Sequence, residues 1–287
     1  MKFSATLVPF ALLVAGCVEG HAHIGNYHRR GGPSATFTHP TTSSATAPPV
    51  STPTSTSGEV KRGVSYNDIQ AADQFGDKIS WMYNWASVAG GDVPQGKEYV
   101  PMLWGADSGH TSTWNDDATA AIAAGATHLL GFNEPDLGAQ SNLSPQAAAA
   151  AWKQFMEPFA GKAKLCSPAI TNGGAPMGTA WLDEFLSECS DCHIDCIAFH
   201  IYDSATNVDY FKNYITDIGT KYNKPTWMTE FGASGSTQDQ QTFLNTMLPF
   251  LDGLASNERY AYFMAGQDIL VDTSNSLSVL GQTYNSD

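Results

Sequence analysis

From about residue 61 the chain repeats one pattern. Short, nearly continuous apolar runs alternate with longer stretches in which apolar residues recur every three or four positions. The runs cover residues 63–67, 79–85, 99–104, 129–134, 165–171, 194–202, 226–231 and 259–265. Apolar character on both faces suits parallel strands covered on both sides. Several intervening stretches carry helix signals. Ser144-Pro145 places an N-cap before a proline at the first helical position and opens an Ala-rich helix to about residue 159. Asn115-Asp116-Asp117 precede a helix over 118–124 that Gly125 closes. Residues 178–186, 208–222 and 237–254 give three more amphipathic patterns, whereas the second connection and the segment after residue 267 are thin in helix signal. The expectation is an α/β fold, a (β/α)₈ TIM barrel with irregular or reduced second and last helices, ending in a short turn over 277–284. An open doubly wound sheet would use fewer strands and a Gly-rich phosphate loop; Gly90-Gly91 and Gly173-Gly174 lack that spacing and read as turns.

The first 60 residues do not share this pattern. Lys2 followed by an apolar run over 7–16 reads as a signal peptide over residues 1–22, with Gly20-His21-Ala22 as a small-x-small cleavage site. The run is too short to span a bilayer. Residues 23–60 are rich in Ser, Thr, Pro and Gly and cannot bury enough apolar surface to fold, so a disordered linker is expected. His21, His23, His28 and His39 fall in or beside it without fixed geometry and read as solvated. Lys61-Arg62 is either a dibasic processing site or the start of the first strand. Residues 61–287 suffice for one barrel domain.

Charge narrows the partners. A net charge of −14 without a basic run in the globular part argues against nucleic acid or an acidic polymer and suits a neutral polysaccharide. The expected protein is a secreted, extracellular or cell-wall monomer that does not enter a membrane and uses neither metal nor cofactor. Cys17 leaves with the leader, and the remaining Cys166, Cys189, Cys192 and Cys196 favour disulfides in an exported chain. A local Cys189–Cys192 bridge is expected, with Cys166 and Cys196 left as a second pair. Cys189-x-x-Cys192-His193-x-x-Cys196 has a zinc-like look but no second ligand cluster.

The chemistry gathers where the fourth and seventh runs end. Gly131-Phe132-Asn133-Glu134-Pro135-Asp136 and Trp227-Met228-Thr229-Glu230-Phe231-Gly232 each put a glutamate at the end of an apolar strand. Such a carboxyl is costly unless hydrogen-bonded or functional. Two of them at C-terminal strand ends, on the face where barrels of this kind carry their sites, are what glycosidic-bond hydrolysis requires. Other polar and aromatic residues fall at the same ends: Asn67, Asn84, Trp85, Trp104, Asn133, Thr171, Asn172, His200 and Tyr202. Trp85 and Trp104 read as platforms for the apolar faces of sugar rings, Trp81 as barrel filling, and Tyr83 as either. Trp114, Trp152, Trp181 and Trp227 read as core residues on helices or outward strand faces. Asn142-Leu143-Ser144 is an N-glycosylation sequon followed by Pro145.

The order and spacing of Val100-Pro101-Met102-Leu103-Trp104-Gly105, Gly131 to Asp136, Ser167-Pro168-Ala169, His200-Ile201-Tyr202 and Thr229-Glu230-Phe231-Gly232 resemble glycoside hydrolase family 128 over residues 62–285. The resemblance implies a retaining β-1,3-glucanase, a group common in fungi that includes glucan-binding relatives. It implies Glu134 as acid/base, Glu230 as nucleophile, Asn133 on the sugar 2-hydroxyl, and His200 and Tyr202 orienting the nucleophile. Ile201 departs from the bulkier Trp that the family often carries there. Endo action on β-1,3-glucan is the expectation. A wall-anchored glucan-binding protein with little turnover, or a glycosidase for another β-glycan or mannan, are the alternatives.

Overall fold

The computed structural model describes residues 60–286. The expected leader lies outside them, as does the expected linker apart from Val60. Each apolar run overlaps a strand, the third by Tyr99 alone: β1 (Arg62–Tyr66), β2 (Trp81–Tyr83), β3 (Glu98–Tyr99), β4 (His128–Leu130), β5 (Lys164–Cys166), β6 (Ile197–Ser204), β7 (Thr226–Ser234) and β8 (Asn257–Ala265). The helices are α1 (Ile69–Ala72), α2 (Ser108–Thr111), α3 (Trp114–Ala123), α4 (Pro145–Phe155), α5 (Thr179–Glu188), α6 (Val208–Tyr222), α7 (Thr237–Gly253) and α8 (Val279–Tyr284). Ser144 caps α4 as expected, its side chain accepting from the Ala147 N–H. α3 begins earlier than its Asn-Asp-Asp signal suggests. Asp116 and Asp117 lie inside its first turn, where carboxylates offset the exposed N–H groups and the helix dipole, and Thr113 takes the N-cap without a side-chain bond. The connection from β2 to β3 has no helix and α8 has only six residues, as anticipated; the four-residue α1 makes the first crossover short too.

All strand pairs are parallel, in the order β3-β2-β1-β8-β7-β6 with β4-β5 as a separate pair. Single bridges join the two groups, Met102 to Leu130 on one side and Cys166 to Cys196 and Ile170 to Phe199 on the other. The ladders thin beside Pro101 and Pro168, which have no N–H to donate. At the β5–β6 seam the Cys166–Cys196 disulfide reinforces the contact, and Cys189–Cys192 forms the local bridge.

The barrel interior holds Trp81, Tyr83, Met102, Leu130, Ala198 and Trp227, all buried. Trp227 therefore corrects its expected outward placement. At the floor the Arg259 guanidinium lies 4.6 Å from the Trp227 ring centre and 5.9 Å from that of Trp81, and it donates to Glu98 at 2.6 Å. A cation that stacks between indoles and pairs with a carboxylate can be buried without a free charge. The outer layer packs Phe199, Ile201, Met228 and Phe231 with helix residues such as Phe211, Ile215 and Phe243.

One irregularity in β7 decides which way its glutamate faces. Phe199 pairs with Met228, but His200 pairs with Glu230, so Thr229 is an extra residue against β6. Against β8 the same stretch runs from Met228–Tyr260 to Phe231–Tyr262, again with one residue too many. Strict alternation from the inward Trp227 would send Glu230 outward; the bulge turns it inward and leaves Phe231 in the outer layer.

Gly63 lies against Trp81 on the neighbouring strand, where an added Cβ would come within 2.1 Å of the indole. Gly63→Ala is expected to destabilise the barrel by about 2 kcal/mol, lowering the melting midpoint by roughly 4–8 °C. A scan showing an unchanged midpoint would contradict this packing.

Candidate active site

Glu134 follows β4 in a left-handed backbone conformation, φ +40°, that a residue with a Cβ adopts only when its surroundings enforce it. The enforcement is visible. Its N–H donates to the Ala169 carbonyl at 2.8 Å. Two residues on, the Asp136 carboxylate accepts from the Thr171 hydroxyl at 2.6 Å, the Thr171 N–H at 3.1 Å and the Gly178 N–H at 2.8 Å. The acidic end of the motif thus ties the loop after β4 to the loop after β5.

Glu230, aimed inward by the bulge, meets Glu134 across His200. One carboxylate oxygen of each glutamate and an imidazole nitrogen all lie within 4.8 Å of one another. His200 Nδ1 is 2.7 Å from Glu134 Oε1; Nε2 is 3.0 Å from Thr229 Oγ1 and 3.5 Å from Glu230 Oε1. The imidazole is fully buried, and Glu134 and Glu230 are 8% and 6% exposed, enough to reach a cleft. Glu230 has further donors in the Trp85 indole N–H at 2.8 Å and the Tyr202 hydroxyl, and the buried Tyr83 hydroxyl, which donates to the Thr229 carbonyl at 3.0 Å, faces it as well. Among the described residues Glu134, His200 and Glu230 form the cluster of donor atoms close enough to share an ion. Both imidazole nitrogens already face carboxylate or hydroxyl oxygens, so the geometry is that of a proton network.

The electrostatics follow from burial opposed by neighbours. Burial works against an imidazolium at His200, but the Glu230 and Glu134 carboxylates outweigh it and raise its pKa. Glu230 is also raised, first by burial and then by repulsion from Glu134, against the opposing pull of His200, Tyr202 and Trp85. The Tyr202 phenol is raised well above its ordinary value by enclosure of its hydroxyl end and by the Glu230 charge, although the residue as a whole is 38% exposed.

The remaining expected residues divide into two groups. Tyr202 and Trp85 join the cluster directly, and Gly232 leaves space for the Tyr202 ring, since a Cβ there would fall 2.8 Å from it. Asn133 lies beside Glu134, its Nδ2 donating to Gln140 at 3.2 Å while its buried Oδ1 has no protein partner. Trp104 is half-buried and stacks on His110 at 4.9 Å, with His110 held by Asp107 at 2.7 Å, so one indole face is already covered. Asn84 is committed to its own loop, donating to Val88 O and accepting from Tyr99 and Ala86. Asn67 is exposed, with its amide 3.8 Å from the Met264 sulfur. Phe263, which sequence reasoning passed over, packs between Trp85 at 5.6 Å and Tyr202 at 6.0 Å. Its signal was the one used for Trp104, an aromatic near a strand end. Thr229 and Asp136 were also missed; nothing in the letters marks a bulge.

The family model described as glycosyl hydrolase catalytic core matches residues 63–284. A GH128 subgroup III curdlan-specific exo-β-1,3-glucanase from Blastomyces gilchristii is 44% identical, with a TM-score of 0.74 over 79% of this chain and 98% of that one. The chain belongs to glycoside hydrolase family 128. Another member, a subgroup I endo-β-1,3-glucanase from Amycolatopsis mediterranei solved with laminaripentaose, is 30% identical with a TM-score of 0.69, over 79% of this chain and 99% of that one. Alkali-sensitive linkage protein 1 of Schizosaccharomyces pombe is 34% identical over 250 residues, 78% of this chain. The chain spans only 44% of the length of that curated relative. Membership accounts for the barrel as well as for the order of the motifs.

If the Tyr202 and Trp85 donors hold the Glu230 anion, removing either raises the pH at which Glu230 ionises. Tyr202→Phe should raise it by about one unit, the scale of a charge-assisted hydrogen bond, and Trp85→Phe should act in the same direction. Carboxyl-labelled NMR titration reads this directly, and an unmoved midpoint in both variants would dismiss the two donors.

Proposed function

We propose that this family 128 protein is a secreted glycoside hydrolase that cleaves β-1,3-glucan with retention, Glu230 acting as nucleophile and Glu134 as acid/base. The observation that carries the reading is the approach of the two carboxyl groups within 4.8 Å. A closest approach of this size is nearer the roughly 5–5.5 Å of retaining enzymes than the roughly 6.5–9.5 Å of inverting ones, which supports retention. In this reading Glu230 attacks the anomeric carbon while Glu134 protonates the leaving oxygen; water activated by Glu134 then releases the sugar from Glu230. His200, 2.7 Å from Glu134, is placed to hold that proton between turnovers. The unpartnered Asn133 Oδ1 is placed to accept from a sugar 2-hydroxyl. Trp104 offers its uncovered face to a glucose ring, and the edge of the Trp85–Phe263–Tyr202 group flanks the reacting sugar.

The substrate class follows the relatives, whose names specify β-1,3-glucanases and whose complexes hold glucose or laminari-oligosaccharides. Endo action is the expectation from sequence; the 44% identity to an exo-acting enzyme is the observation favouring release from chain ends. Secretion rests on the leader and on the disulfides. A glucan-binding wall protein with little turnover is the second reading, kept because a relative 34% identical is named as a linkage protein rather than as a glucanase.

Glu134→Gln and Glu230→Gln should each lower release of reducing ends from linear β-1,3-glucan by about a hundredfold or more while the fold is retained. Full activity in either variant refutes the assignment, and an inactive wild type on β-1,3-, β-1,4- and mixed-linkage glucans supports the binder instead. Sizing the products separates endo from exo cleavage. Trp104→Ala should weaken oligosaccharide binding more than it lowers stability; calorimetric titration with undiminished affinity would remove the platform.

A further inference from the structure

Tyr202 is held from behind by a side chain that imitates backbone. In a parallel ladder alternate residues of a strand turn their N–H and C=O groups towards the same neighbour. The His200 N–H donates to the Ile170 carbonyl at 2.8 Å, on the β5 side. Tyr202, two residues on, turns its peptide groups the same way. The residue two beyond Ile170 is Asn172, but the backbone ladder with β6 does not continue to it, and the Thr171 N–H between them goes to the Asp136 carboxylate on the β4 side. The Asn172 carboxamide fills the gap. Its Oδ1 accepts from the Tyr202 N–H at 3.3 Å, and its Nδ2 donates to the Tyr202 carbonyl at 3.1 Å. Nδ2 also donates to the Tyr210 hydroxyl at 3.1 Å. A carboxamide carries the same donor and acceptor as a peptide group; an aspartate at this position would lose the donor and a glutamine would overreach by a methylene.

We propose that Asn172 is a positioning residue of the active site, a surrogate strand residue that holds the Tyr202 phenol against Glu230. The proposal rests on the reading of Glu230 as the nucleophile. A loop staple alone would explain the bonds to Tyr202 but predicts only lost stability. Positioning predicts that loss of the carboxamide lets Tyr202 drift from Glu230. The nucleophile's anion then loses a donor, and the rate falls away at higher pH on the acidic side.

The test compares pH profiles of kcat/KM on a β-1,3-gluco-oligosaccharide for wild type, Asn172→Ala, Tyr202→Phe and the double variant, alongside their melting midpoints. Asn172→Ala is expected to lower kcat roughly tenfold with little change in KM, and to move the acidic limb up by roughly half a pH unit or more. In the Tyr202→Phe background it should add almost nothing to either effect. Tyr210→Phe keeps the Asn172–Tyr202 pair but removes its brace, so it should shift the limb in the same direction by less; it decides the question should Asn172→Ala fold poorly. A wild-type acidic limb in these variants, or effects that add in full to those of Tyr202→Phe, would overturn the proposal. Retained activity in Glu230→Gln would instead strike at the functional reading, so the two failures are distinguishable.

Discussion

Two carboxylates drawn close together in a pocket nearly closed to water repel each other, and the imidazole between them is what makes the arrangement tenable. With carboxylate oxygens within 4.8 Å of each other and an effective dielectric near 20, two full charges oppose each other by at least about 3 kcal/mol. A His200 that favours its charged form offsets this from both sides, touching Glu134 with one nitrogen and facing Glu230 with the other. The imidazole can serve only if it cannot rotate away. Full burial fixes its ring, and the Thr229 hydroxyl occupies the second nitrogen. The apolar barrel beneath, closed at the floor by the Trp81–Arg259–Trp227 stack, supplies the rigidity.

Much of the fold was legible because apolar runs and helix caps are local signals. Ser144-Pro145 opened α4 where anticipated, and all eight runs overlap strands, although β3 meets its run only at Tyr99. Both disulfides were among the pairings considered. The positions of Glu134 and Glu230 at strand ends were legible for the same reason: a carboxyl in an apolar run stands out. Trp227 was misplaced because alternation counted along one strand has no fixed origin without its neighbours. In this fold it faces Trp81 across the barrel, 5.0 Å between ring centres.

What the sequence hid is long-range. Asp136 reads as the last letter of a motif, yet its bonds reach Thr171 and Gly178. Asn84 reads as a ligand at a strand end, yet its amide is occupied by Val88 of its own loop and by the Tyr99 hydroxyl of β3. The left-handed backbone at Glu134 and at Trp85, φ +59°, carries no signature in residue type, since either residue would ordinarily avoid it. The loop after β5 emerges only in three dimensions as the meeting point of both halves of the site, through Asp136 on one side and Tyr202 on the other.

The extra residue at Thr229 makes strand parity, rather than residue identity, the fragile property of β7. Deleting Thr229 alone would straighten the ladder and keep Glu230 inward, in step with Trp227. Pairing Thr229 into the ladder, with no residue lost, would instead turn Glu230 towards the helices and bring Phe231 into the cleft. A homologue could keep every letter of Thr-Glu-Phe-Gly and, without the bulge, present a phenyl ring to its ligand, so the register of this strand against its neighbours says more about its chemistry than matching its letters.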